Sequence, residues 1–142
     1  MVNEMLKGIS KQLYDTFGAD YKYYVENVEQ KLTKPCFTID AIIPLQRSRS
    51  RVLYDRTIPV VVHYFTGDTE NTKKDCYEKA ELIVEALEFV PFHGSLLRGE
   101  NISWQIIDDV LQVFVTYKFI TRKITSNEDN MDVLEMPDMS IN

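Results

Sequence analysis

The chain has 142 residues, 44% of them hydrophobic and 27% charged, and carries a net charge of −6. That length suits one domain burying roughly two-thirds of its unfolded surface, and the composition is ordinary for a globular protein. No run approaches the ~18 consecutive apolar residues of a membrane span, and the opening MVNEMLKGIS is amphipathic without a signal-peptide apolar core, so the expectation is a protein that is made in a cytosol and stays there.

Val2 to Phe17 carries Met5, Leu6, Ile9, Leu13 and Phe17 at helical spacing, with Gly18 as a stop signal, and is predicted as an amphipathic first helix. Tyr21 to Val28, rich in Tyr and Val, is predicted as a short strand. A polar turn, Glu29 to Lys34, precedes Pro35 and a second strand, Cys36 to Ile43, ended by Pro44. The loop Gln46 to Arg51 leads into a third strand, Val52 to Phe65. There Ile58, Val60, Val62 and Tyr64 form one face, with Val61, His63 and Phe65 on the other. Pro59 lacks the N–H a ladder needs and predicts an edge or a bulge. Gly67 to Thr72 is a turn, and Thr72 with Asp75 resembles a capping box. The second helix is predicted to run to about Val90, with Cys76, Ala80, Ile83, Leu87 and Val90 as its apolar stripe. Pro91 and Gly94 end it.

Two long strands follow, from about Leu96 to Ile107 and from Val110 to Lys123, turning at Asp108-Asp109. In the second, Leu111, Val113, Val115, Tyr117 and Phe119 alternate with Gln112, Thr116 and Lys118, Phe114 being the exception, so one face is buried and the other half wet. Strands this long project past a small core, and such projections pair with a neighbour or need protection as edges. The expected fold is α+β: a single domain with a mixed or antiparallel sheet flanked by two main helices in the order α-β-β-β-α-β-β. The domain spans 1–124, and 125–142 is an acidic, Met-containing tail.

That tail holds five acids and no Lys or Arg, leaving a nearly neutral body of 17 acids against 16 bases. Within the body, four of the six arginines fall in one short stretch: Arg47, Arg49, Arg51 and Arg56. A basic loop and an acidic tail suggest two electrostatic contact surfaces. Arginine pairs bidentately with phosphate, so a small nucleic-acid-binding module is one reading, but the loop lacks interleaved aromatics and the chain is acidic. Arg98 sits beside Gly99, which allows close backbone approach, and is left to pair with an acid of its own chain or of a neighbour. In the tail, Met131, Val133, Leu134, Met136 and Met139 stand among the acids and suggest a segment that orders on a partner, against a solvated terminus.

No catalytic set can be written. His63 lies in an apolar strand and His93 in the Pro91–Gly94 turn, with no nucleophile–base pair around either. Cys36 and Cys76 read as small buried hydrophobes, since neither disulfide nor metal spacing is present. Adjacent Asp108 and Asp109 between two strands read as a turn, not as metal carboxylates. No cofactor is expected.

Taken together, the segments LKGISKQLYDTFGADYKYYVENVEQKLTKPCFTI, VHYF, CYEKAELIVEALEFV and GSLLRGENISWQIIDDVLQVFVTYKF resemble tail terminator proteins of tailed phages, defective prophages and contractile phage-like particles of Gram-positive bacteria. The resemblance covers about Met5 to Lys123 and rests on matching segments in order, not on one motif. It implies a structural virion protein, not an enzyme: a hexameric ring that caps the tail tube, stops its polymerisation and presents the surface joining tail to head connector. In contractile tails it also implies holding the last sheath ring. The implied partners are further copies of the chain, the tail tube protein, the sheath protein and the neck connector, with DNA passing through unread. The implied location is the tail–neck junction of the virion, after a cytoplasmic stage in the host. A head–tail completion protein of the neck is the near alternative. A ring needs head-to-tail contacts that close by rotation, which the long strands and the arginine loop would supply.

Overall fold

The computed structural model describes residues 1–25, 32–68 and 70–123, and the backbone of 132–135. Two helices, α1 (Val2–Phe17) and α2 (Thr72–Leu87), lie on one face of a mixed sheet. Its strands are β1 (Lys22–Val25), β2 (Cys36–Ala41), β3 (Leu45–Ser48), β4 (Leu53–Phe65), β5 (Phe89–Phe92), β6 (Ser95–Ile107), β7 (Val110–Lys123) and β8 (Asp132–Glu135). The lateral order is β1-β2-β4-β7-β6-β5, with β3 on β4 and β8 on β7. β1 and β2 are parallel, and the other described pairings are antiparallel. The α+β class and the two helices are as expected.

The spine is the β4–β7 pair, in unbroken register from Leu53 opposite Arg122 to Phe65 opposite Val110. Period-2 alternation puts Ile58, Val60, Val62 and Tyr64 on one face with Leu111, Val113, Val115, Tyr117 and Phe119, all buried. α1 meets that face with Met5, Leu6, Ile9 and Leu13, and α2 with Cys76, Ala80, Ile83, Ala86 and Leu87. Both cysteines are free and buried. α1 stops at Gly18, whose φ of 87° suits a residue without a Cβ and whose N–H reaches the Tyr14 carbonyl at 2.7 Å. β6 turns into β7 through Asp108 and Asp109, at φ 52° and 63°. Two left-handed residues in a row match the twist of the flanking strands, and Asp tolerates that region.

Both ends of α2 are tied to the sheet. At its start, the Asp75 carboxylate accepts hydrogen bonds from Tyr64 Oη (2.6 Å), Thr66 Oγ1 (2.6 Å) and Lys79 Nζ (2.9 Å). Burial alone would raise its pKa, but those three bonds and the Lys79 charge outweigh burial and hold it below the usual carboxylate range. At its end, the buried Tyr117 hydroxyl donates to the Leu87 carbonyl (2.7 Å) and the Gly99 N–H to the Glu88 carbonyl (2.7 Å), satisfying acceptors a helix leaves open. A Cβ on Gly99 would lie 2.6 Å from the Leu87 oxygen and 2.7 Å from Val115 Cγ2. This is the close backbone approach its sequence position suggested.

Several expectations change. Asp75 does not form a capping box: the N-cap is Asn71, with no side-chain cap bond, because Asp75 turns toward β4. α2 ends at Leu87, not Val90. Val90 precedes Pro91, which disfavours helix, and both lie in β5, where Val90 is buried opposite Leu97. Gln46–Arg51 is not a loop: Gln46, Arg47 and Ser48 belong to β3, and Arg49–Arg51 make its turn into β4. The short β3, β5 and β8 were not foreseen, so the observed order is α-β-β-β-β-α-β-β-β-β. The predicted first strand shortens to Lys22–Val25, and the rest of its expected span, 26–28, lies outside the described residues.

Two outcomes are expected. Gly99→Ala should lower unfolding free energy by about 1–3 kcal/mol, because its nearest obstacle is backbone that cannot swing aside; urea denaturation of the purified protein measures it. Asp75 has a depressed folded pKa, so its contribution is present above the unfolded carboxylate value of about 3.9 and is lost as pH falls through the folded value. Asp75→Asn should therefore cost about 1.5–3 kcal/mol at pH 7, with the difference from wild type shrinking below about pH 4. A pH series of thermal melts shows the convergence.

Candidate functional site

The titratable groups singled out by sequence do not converge. His63 stands on the sheet face away from the helices, opposite Thr38 and Gln112, and its buried Nδ1 has no hydrogen-bond partner. Burial lowers its pKa against a weaker upward pull from Asp40, so the ring is neutral at pH 7. His93 is a turn residue at φ 49°, with Nε2 3.0 Å from Glu4 Oε2. Among the described residues no group of three or more His, Cys, Asp or Glu is placed to hold a metal ion, and no helix is long and apolar enough to cross a membrane. Outward-facing chemistry lies instead along the two flanks of the sheet.

On one flank, β2 and β3 form an interrupted strand along β4. Ala41 faces Val60 and Leu45 faces Thr57, so residues 42–44 stand opposite only Ile58 and Pro59. That one-residue excess is a β-bulge. The Ile42 N–H donates to the Pro59 carbonyl at 2.8 Å. A strand residue's N and O point to the same neighbour, so the missing Pro59 N–H also faces the bulge. The bulge expected at Pro59 is thus present, carried by the opposing strand. It throws Ile43 outward at φ 42°, 83% exposed, beside Leu45 at 58%. A β-branched residue in that region is strained.

The predicted arginines divide around this flank. Arg47 is opposite Asp55, and Arg49 pairs with the Asp55 carboxylate through Nε (3.4 Å) and a terminal nitrogen (3.2 Å). Arg51 is exposed in the turn between β3 and β4. Arg56 faces the other side of β4, opposite Gln46 and Phe119, so it does not join the same row. A surface cavity of about 440 Å³ opens between Leu45, Arg47, Arg56, Thr57, Glu100 and Lys118, so Arg47 and Arg56 share its lining; Glu100 and Lys118 form a long ion pair at 3.8 Å.

Arg98 lies on the opposite flank. It pairs across the β5–β6 hairpin with Phe89 and places its guanidinium 5.8 Å from that ring's centre. Phe89, Pro91 and Leu96, all exposed, line an apolar cavity of about 640 Å³ along this edge. Of the predicted docking tail, Val133 and Leu134 lie in β8, opposite Arg122 and Thr121 of the chain's own β7. Met131, Met136 and Met139 lie outside the described residues. Sequence reasoning passed over the exposed apolar pair Ile43 and Leu45, and over an acidic stripe on α2. The signal for the stripe was present: Glu78, Glu81, Glu85 and Glu88 recur at helical spacing on the exposed side.

These features define the protein as a single α+β domain whose functional chemistry is surface and edge. Residues 4–129 match the model of a family described as phage tail terminator protein, and the chain belongs to that family. It is therefore a structural protein of the phage tail, a virion component that works among other tail proteins. No curated protein matches the chain. One solved chain, whose name states no function, aligns over 87% of this chain and 94% of its own at 13% identity and a TM-score of 0.40. That likeness carries no further argument.

Ile43→Gly tests the strain at the bulge. Relief of the left-handed penalty outweighs the extra freedom of glycine in the unfolded chain, and almost no burial is lost. Stability should rise by about 0.5–1 kcal/mol in chemical denaturation.

Proposed function

We propose that this chain caps the phage tail tube as a ring, in the first instance a hexamer, and ends tube polymerisation. In this reading one face of the ring seats on the last tube ring and the other offers the joint for the neck connector. In a contractile particle it also holds the last sheath ring. The observation that carries the reading is family membership over nearly the whole body, residues 4–129. The chain's surfaces support it. Head-to-tail rings need two different patches on different sides of a subunit, and the bulge with its arginine hairpin and the β5–β6 edge are such a pair. In the same reading Arg47, Arg49, Arg51 and Arg98 contact protein, because a channel that passes DNA gains little from holding its phosphates tightly. Arg56 and the 125–142 tail are proposed as further contacts with the tube, sheath or neighbouring copies.

Deleting the gene from a particle-producing strain and imaging the particles tests this. Overlong or irregular tails without heads are expected. Tails of normal length that fail to join heads would make the chain a neck-completion protein instead, and normal particles would overturn both assignments.

A further inference from the structure

We propose that the contact between copies is an electrostatic clasp: the arginine hairpin of one copy lies along the glutamate stripe of α2 in the next. The inference rests on the ring reading above and names the surfaces that close it. Ile43 and Leu45 flank the hairpin, and Phe89 and Leu96 flank the stripe, so each charged surface has an exposed apolar border.

The stripe calls for more cations than its own helix face supplies, since Lys74, one turn before Glu78, is the one exposed base in line with it. Glu78, Glu81, Glu85 and Glu88 are all exposed, and like charges three or four residues apart on a helix repel. Three of them fall in the last two turns or at the cap, where the helix dipole is already negative, and α2 has no base in its last turn. Lys79, the one base within this stretch, is drawn inward to Asp75 and lies over the Tyr21 and Tyr64 rings. None of the four glutamates is ion-paired among the described residues.

The complementary surface is on the same chain but cannot reach its own stripe. Leu45 to Val52 contains three arginines and no acid, all exposed. It lies on the β2–β3 flank of β4, whereas α2 packs over β5, β6 and β7 on the other side of the spine. A contact between them therefore joins two copies head to tail and leaves a free hairpin and a free stripe to propagate.

The test uses charge reversal in the particle-producing strain. Arg47→Glu with Arg51→Glu sets an acidic hairpin against the acidic stripe, and Glu81→Lys with Glu85→Lys sets two lysines at the centre of the stripe against the arginines. None of the four positions is ion-paired among the described residues, so both variants should fold. The glutamate introduced by Arg47→Glu would face Asp55 across the strand pair and lower the melting temperature slightly, and the two lysines relieve repulsion at the helix end and raise it slightly. Each alone should lower the copies retained per tail at least about tenfold and lengthen the tails. Placing all four changes in one chain, or co-expressing the two variants, should restore capping. Where the two variants alternate around the ring, every glutamate-bearing hairpin meets a lysine-bearing helix and every arginine hairpin a glutamate-bearing one. The clasp is overturned if both folded variants cap like wild type, or if neither the combined variant nor the mixture recovers. It is also overturned if the arginine reversal leaves capping intact and only reduces DNA retention. Normal tails on gene deletion would remove the ring reading as well, whereas long tails on deletion with normal tails on reversal would remove the clasp alone.

Discussion

The fold hangs on the place where α2 ends against the sheet. A helix terminus leaves carbonyls without partners, and burying them unpaired is costly. Here the Leu87 and Glu88 carbonyls are met by the Tyr117 hydroxyl and the Gly99 N–H, from two neighbouring strands. The contact needs both a long side chain reaching up from β7 and the absence of one on β6. It sets the height of the helix above the sheet, and with it the burial of Leu87, Val115 and Tyr117. The Asp75 network does the same at the other end, so α2 is held as a rigid bar over the β5–β7 half of the sheet.

That rigidity has a consequence for function. In the proposed ring a subunit transmits contact geometry from one neighbour to the next, and a slack joint between helix and sheet would spread the closing angle over many values. Here the acidic stripe rides on the bar, and the arginine hairpin rides on β4, the strand that pairs with β7 along its whole length. Both surfaces are thus indexed to the same two-strand spine. The bulge opposite Pro59 adds an offset, lifting Ile43 out of the sheet's alternation beside Leu45. Strain and exposure at Ile43 have no use inside one subunit and make sense at a contact outside it.

Much of the architecture was legible because period is a local property. Ile58 to Tyr64 and Leu111 to Phe119 alternate plainly enough to assign their faces, and the Asp108-Asp109 turn and the Gly18 stop follow from backbone preferences of single residues. Short strands were not legible. Leu45–Ser48 carries three polar residues in four and pairs only because β4 runs past the end of β2. Val90 fits a helical stripe as well as a hairpin, and Pro91 decides between them only once β6 is there to receive it. Of the site, the arginine cluster was visible as composition. Its split, with Arg47 and Arg49 around Asp55, Arg56 across the strand and Arg98 on the far edge, was not.

The sequence by itself determined the α+β class, the two helices, the buried faces of the long strands and the family, since each depends on patterns within short stretches or on their order. Only the tertiary structure decided which surfaces face outward together. A flank is made of residues from different elements, such as Leu45 of β3 with Thr57 of β4 and Lys118 of β7. Their grouping follows from register, bulge and helix docking, which are fixed by contacts between segments and leave no periodic trace within any one of them.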